Sequence, residues 1–270
     1  MKPFIWLRPA ARENKYLQDA PTLNLSTHIS FDQLGTAEYP SVVLTCSHRE
    51  VRYGGHMELN ILDLGRCEYA KALAIQLETV ESVQCGRTGD TLILVEHPAI
   101  ITLGRNAKPE NLLATNMQLN SMGIDLQSVT RGGDITYHGP GQLVGYPIFH
   151  LKERHGGSIR MFVNRLESVL MDVLQEEWQI TSGRDSCNSG VWVGNDKIAA
   201  IGLAVKRGVT MHGFSLNLST DLSHYSTMIP CGLQGRGVTT VERLVGHPVS
   251  LESAPSAVIR NFRKHYGFDR

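Results

Sequence analysis

Two short stretches of the chain hold residues able to do covalent chemistry. In IPCG at 229–232, Cys231 follows a proline that fixes its approach and precedes a glycine that leaves one side open. A thiolate is a strong nucleophile for acyl groups, and the thioester it forms stays reactive toward amines. An ordinary thiol, with a pKa of ~8.5, is mostly protonated at neutral pH, so such chemistry needs a cation beside it. Lys197, in GNDKIAAIG, is the candidate cation: it opens the apolar strand Ile198 to Val205, where Gly202 leaves room for a packed neighbour. Facing Cys231, its ammonium would stabilise the thiolate and carry a proton to and from an incoming amine. A lone cysteine is more often a small buried hydrophobe, and a lysine beside a hairpin is more often a solvated charge. Chain order by itself does not bring the two together.

The third stretch, RGGDITYHGPGQ at 131–142, is glycine-rich and invites a phosphate reading. No lysine comes after these glycines as a Walker loop requires, and Gly139-x-Gly141 is followed by Gly145, one residue late for the dinucleotide fingerprint. The next segment of chain reads as a strand rather than a helix, so no helix N-terminus meets an anion there. Gly132 and Gly133 instead allow a ligand to approach backbone groups closely. Arg131 can anchor the loop or offer a forked donor. His138 could donate to a thioester carbonyl or orient a neighbour, or be an ordinary loop histidine satisfied by backbone.

The elements that must position these residues alternate between helix and strand from Leu59 onward. Residues 66–82 read as an amphipathic helix with Tyr69, Ala70, Leu73, Ala74, Leu77 and Val80 on its apolar face. TLILVEHP at 91–98 is a buried strand. Pro109 is expected to open a second helix that leaves through Gly123, and DLQSVT leads into the glycine-rich loop. QLVGYPIFHL is a strand that Pro147 demotes to an edge or a bulge. Ser158 caps a long helix burying Ile159, Phe162, Val163, Leu166, Val169, Val173 and Leu174. GVWVGNDKIAAIGLAVKRGVTMHGFSLNL reads as a three-stranded antiparallel meander with turns at Gly194-Asn195-Asp196 and Arg207-Gly208. A last helix, 253–265, takes Ser253 as its cap and buries Val258, Ile259 and Phe262.

The whole chain bounds the chemistry. It has 270 residues, enough for one large domain or two small ones, and its 26 basic and 26 acidic residues cancel. No global field points to nucleic acid or an anionic membrane, and no apolar run approaches the ~20 residues a membrane span needs. Five cysteines (Cys46, Cys67, Cys85, Cys187, Cys231) are an odd number without C-x-x-C spacing, which points to free thiols in a cytosol rather than disulfides or structural zinc. Residues 1–56 carry four prolines, weak periodicity and one strand-like piece, SVVLTC at 41–46. They read as an N-terminal extension; Glu13 and Asp19 count against organelle targeting. Met57, just before the first core strand, is an alternative start.

RGGDITYHGPGQLVGYP, GVWVGNDKIAAIG, HGFSLNL and IPCG, in this order, together with EHPAIITLGR at 96–105, resemble the lipoyl(octanoyl) transferase family of lipoate biosynthesis. The likeness spans roughly 59–250, and the resemblance assigns 57–270 to the catalytic domain. It implies a mixed α/β sheet flanked by helices, the core shared with biotin and lipoate protein ligases. The activity implied is transfer of an octanoyl group from octanoyl-acyl carrier protein to a lysine of a lipoyl domain, the first step of endogenous protein lipoylation. The acceptors would be lipoyl domains of 2-oxoacid dehydrogenases and the glycine cleavage H protein; no ATP, metal or redox cofactor is needed. Cys231 matches the family's acyl-thioester nucleophile and Lys197 the lysine that lowers its pKa. Arg131, Gly132, Gly133, Asp134, Ile135, Thr136, Tyr137 and His138 match the first substrate-binding segment, Asp134 without a role of its own. Ala200, Ile201 and Gly202 match the second segment, and Gly213, Phe214 and Ser215 the third. Burying octanoyl methylenes at ~0.8 kcal/mol each could supply on the order of 5 kcal/mol of binding. A ligase activating a free acid with ATP would have no use for the cysteine. A binding module would never be acylated, and a cysteine hydrolase would release octanoate.

Overall fold

The computed structural model describes residues 58–186, 188–230 and 235–268. The extension 1–56 with its SVVLTC segment, Met57, Cys187 and the nucleophile candidate Cys231 lie outside the described residues. The chain forms strand β1 (Asn60–Arg66), helix α1 (Tyr69–Gln84), β2 (Thr91–Glu96), β3 (Ile100–Leu103), α2 (Asn116–Ser121), β4 (Asp125–Ser128), β5 (Ile135–His138) and β6 (Gln142–Ile148). It continues through α3 (Leu151–Arg154), α4 (Ile159–Trp178), β7 (Gly190–Val193), β8 (Asp196–Lys206), β9 (Val209–Asn217), β10 (Gly237–Val238), α5 (Val241–Val245) and α6 (Pro255–Tyr266).

The large sheet is mixed, in the order β1-β2-β6-β9-β8-β10, with β7 also paired to β8. β1 runs parallel to β2 and β10 parallel to β8, while β2–β6, β6–β9, β9–β8 and β8–β7 are antiparallel. Alternation along β2 divides the core. Leu92 and Leu94 pack in one cluster with Leu166, Leu170, Val258 and Phe262 of α4 and α6, and Ile93 and Val95 in another with Ala72, Val80 and Val83 of α1. A small sheet, β4-β3-β5, carries the glycine-rich loop between β4 and β5.

The meander forms as its turn residues anticipate: Gly194 has φ +59, and Arg207 and Gly208 have φ +48 and +85, the left-handed pair of a tight hairpin. Ser158 caps α4, accepting from Met161 N. Several expectations need correction. β6 is a central strand rather than an edge. Opposite Pro147, which has no N–H, its ladder to β9 lapses: pairing stops at Gly145–Phe214 and resumes with Thr210 N donating to Phe149 O. Pro109 opens only a three-residue 3₁₀ turn. The helix proper starts later, at Thr115, whose hydroxyl and Gln118 make a reciprocal capping box. Ser253 closes a 3₁₀ turn, and α6 starts from Pro255. On α1, Ala70 and Leu77 are exposed while Ala72 and Gln76 are buried; Ile159 of α4 is exposed too. No helix among the described residues is long and apolar enough to cross a membrane.

Candidate active site

The glycine-rich loop is held by its own arginine. Arg131 is buried, and its guanidinium bonds Thr102 and the loop's own backbone. Nη2 donates to Thr102 O at 2.6 Å and Thr102 Oγ1 at 2.9 Å, and Nη1 donates to Gly132 O at 3.1 Å. Such contact needs bare neighbours. A Cβ on Gly104 would stand 2.4 Å from Gly133 O and 2.7 Å from Arg131 Nη1. One on Gly202 of β8 would stand 3.0 Å from Gly132 O and 3.1 Å from Arg131 Cδ. The loop thus seats on β8, where Gly132 N donates to Leu203 O at 2.8 Å. Asp134 serves the scaffold as well, bonding Asn111 Nδ2, Lys108 N and Ile135 N.

Between this loop and the α1-side face of the large sheet lies an open cleft. Arg131, Gly133, Asp134, Ile135, Thr136 and His138 line it from the loop and β5; Ala200, Ile201 and Gly202 of β8 and Gly213, Phe214 and Ser215 of β9 line it from the sheet. The three matched segments therefore converge on one cleft. Gly132 and Tyr137 are not among its lining. Gly132 is spent on the seat against β8, and alternation along β5 turns Tyr137 into the small core, its hydroxyl bonded to His224 Nδ1 at 2.7 Å.

On one side Tyr69, Tyr146 and His138 line the cleft, with His97 packed behind them. His97 Nδ1 bonds Cys67 O and its Nε2 bonds Tyr146 OH, both at 2.7 Å. A carbonyl only accepts, so Nδ1 carries the proton and the Tyr146 hydroxyl donates to Nε2. His138 stacks on Tyr69 with ring centres 6.1 Å apart and meets His97 edge-on at 5.9 Å. Burial holds three neighbouring histidines uncharged: His138 is pushed down to about 3, and His97 and His212 to about 4, the nearby Arg131 adding to the effect for His138 and His212. Burial also pushes Tyr69 up to about 12 and Tyr146 well above the usual phenol range, so both phenols stay protonated. This wall is neutral and rich in hydrogen-bonding groups.

Lys197 is buried at the start of β8, where its Nζ donates to Asn188 Oδ1 at 2.6 Å and lies 4.8 Å from the centre of the Trp192 ring. Asn188 lines the cleft. Buried Glu167 of α4 fixes this corner by accepting from Gly190 N and Arg184 Nε. The chain on both sides of the Cys231 stretch is strapped down. Upstream, Ile229 N donates to Asn111 O at 2.8 Å and Leu113 N to Thr227 O at 2.9 Å. Downstream, Val238 pairs with Lys197, and Thr239 N donates to Lys197 O at 3.0 Å.

Comparison with known proteins decides the family. Residues 68–263 match the lipoyl protein ligase A/B catalytic domain. An octanoyltransferase of Alkaliphilus metalliredigens is 51% identical over 213 residues, 79% of this chain and 97% of that protein. The chain belongs to the octanoyltransferases of the lipoyl protein ligase A/B family. A second relative, the octanoyltransferase of Caldicellulosiruptor saccharolyticus, is 47% identical over 78% of this chain and 90% of its own length. The fold recurs in lipoate-protein ligase A bound with ATP (TM-score 0.64, 17% identity, 78% of this chain and 86% of that one). It recurs again in a bipartite lipoate protein ligase from Thermoplasma acidophilum, described with its E2 lipoyl domain (TM-score 0.62, 17% identity, 78% and 85%).

Within this octanoyltransferase, Tyr69, Tyr146, Asn188 and His212 complete the cleft and His97 bonds Tyr146 from behind; His97, Tyr146 and His212 lie inside the motifs quoted above, Tyr69 and Asn188 outside them. Each left a faint trace as a polar or aromatic residue at the end of, or inside, an apolar strand or helix. Such residues are seldom buried without a partner.

Proposed function

We propose that the cleft binds the octanoyl thioester of acyl carrier protein and passes the acyl group through Cys231 to a lysine of a lipoyl domain. Candidate acceptors are the lipoyl domains of 2-oxoacid dehydrogenases and the glycine cleavage H protein. The observation that carries this reading is the placement of Lys197: buried, bonded to a cleft residue, and hydrogen-bonded through its backbone to the strand just beyond Cys231. In the first half-reaction the Cys231 thiolate attacks the donor carbonyl. A new C–S bond forms, the donor C–S bond breaks, and the Lys197 ammonium protonates the departing thiolate. In the second half-reaction the acceptor amine displaces Cys231.

The names of the relatives support octanoyl as the acyl group, and the lipoyl domain described with the T. acidophilum ligase supports the class of acceptor. We assign the reaction to residues 57–270 and to the cytosol, a reducing compartment in keeping with the free thiol of Cys67. The test is to load the enzyme with octanoyl-acyl carrier protein, remove the donor, and add a lipoyl domain without ATP. Octanoylation of the lipoyl lysine is expected. Dependence on ATP and free octanoate, or release of octanoate as the main product, would contradict the proposal.

A further inference from the structure

A buried chain of side-chain amides runs between the Lys197 corner and the cleft, and it settles which nitrogen of His138 carries the proton. At one end, Thr239, whose N–H bonds Lys197 O, presents its carbonyl to Asn217 Nδ2 at 3.1 Å. A carbonyl only accepts, so the Asn217 amide must point its NH₂ there and its Oδ1 toward Gln142. Gln142 Nε2 then donates to Asn217 Oδ1 at 2.8 Å and to Tyr137 O at 3.2 Å, which a flipped amide could not do. That orientation leaves Gln142 Oε1 facing His138 Nδ1 at 2.8 Å. The oxygen has no proton to give, so Nδ1 carries it, and Nε2 is a lone-pair acceptor. Gln142 and Asn217 are both buried, and stacking on Tyr69 limits rotation of the ring. His138 lines the cleft, so its single acceptor site belongs to the ligand space. The expectation that His138 donates to a thioester carbonyl is therefore reversed.

We propose that His138 Nε2 receives one N–H of the acceptor lysine's neutral amine in the second half-reaction, with Gln142 and Asn217 as positioning residues that hold this tautomer. The assignment rests on the octanoyl-transfer reading above. The first half-reaction brings only a thioester, whose carbonyl has nothing to donate to a bare nitrogen; the second brings a nucleophile with two N–H bonds and a lone pair to aim. As the amine nitrogen bonds to the acyl carbon, the C–S bond breaks. The N–H held by His138 stays in the product amide, and the other proton passes to Lys197, restoring its ammonium and the Cys231 thiolate.

Two measurements test this. Nitrogen NMR of histidine-labelled protein should show His138 protonated at Nδ1; a proton on Nε2 would overturn the proposal. In single-turnover experiments, His138→Phe keeps the stack on Tyr69 but removes the acceptor. It should slow transfer from the acyl-enzyme to a lipoyl domain about 10–100-fold more than it slows acylation by octanoyl-acyl carrier protein. Gln142→Met should give the same split with a smaller loss and a mixture of tautomers. Normal transfer by acyl-loaded His138→Phe would overturn the inference while leaving the reaction intact, as would equal slowing of both half-reactions. Failure of the unsubstituted enzyme to acylate at all would instead remove the reaction on which the inference depends.

Discussion

Under the proposed mechanism Lys197 lowers the pKa of the Cys231 thiol, and its removal should show directly in thiol reactivity. Lys197→Ala is expected to move the pH profile of Cys231 alkylation upward, since the thiolate would lose its neighbouring charge. An unshifted profile would take Lys197 out of the mechanism. Lys197→Arg should restore little, because a planar guanidinium does not fit the ammonium's bonds to Asn188 and Ser189 O. At this scale the glycines are legible in the sequence: Gly104 and Gly202 lie where the loop packs with no room for a side chain. His97, Tyr146 and Asn217 are harder to read, because their meaning lies in partners 30 to 75 residues away. No local spacing encodes such bonds.

The elements explain why the glycines matter. Gly202→Val would put carbon against Gly132 O and Arg131 Cδ and lift the loop from β8, so KM for the octanoyl donor should rise on the order of 10-fold. An unchanged KM would mean that the loop's seat does not shape the cleft. The periods of 2 and 3.6 make most strands and helices readable, yet periodicity misplaces the buried face of α1. The cause is a backbone detail in β9. Where the β6 ladder lapses opposite Pro147, His212 adopts φ +57 and its N–H donates to Gln76 Oε1 at 2.9 Å. A glutamine is drawn into the core to satisfy it, in place of the apolar Leu77 that periodicity favours.

Across the whole molecule, the neutral histidines tie stability to pH. In the unfolded chain they titrate near 6.5; in the fold they lie at about 3 to 4, so the unfolded state binds more protons between these values. Their contribution to stability is intact above about pH 6.5 and is lost as pH falls from there through the folded values. Urea unfolding at about pH 7 and about pH 4.5 should show the drop, and His138→Phe should make it shallower. An equal drop in the variant would contradict this. The core itself depends on aromatic packing: Phe149 meets Phe162, Phe262 and Tyr266 edge-on at 5.7, 6.0 and 5.3 Å. Phe262→Ala should therefore cost about 3–5 kcal/mol in denaturant unfolding. A loss below about 1 kcal/mol would mean that α6 is not an integral part of the core. The α/β class is readable from the order of elements. The small second sheet is not, because β5 lies within the stretch that composition marks as a glycine-rich loop.

A covalent octanoyl-enzyme on Cys231 separates this chemistry from an ATP-dependent ligase and from a binding module. Intact-mass and peptide-mapping spectrometry after incubation with octanoyl-acyl carrier protein should find one octanoyl group, on Cys231, and none in Cys231→Ser. No adduct on the unsubstituted enzyme, an adduct on another residue, or an undiminished transfer rate in Cys231→Ser would contradict it.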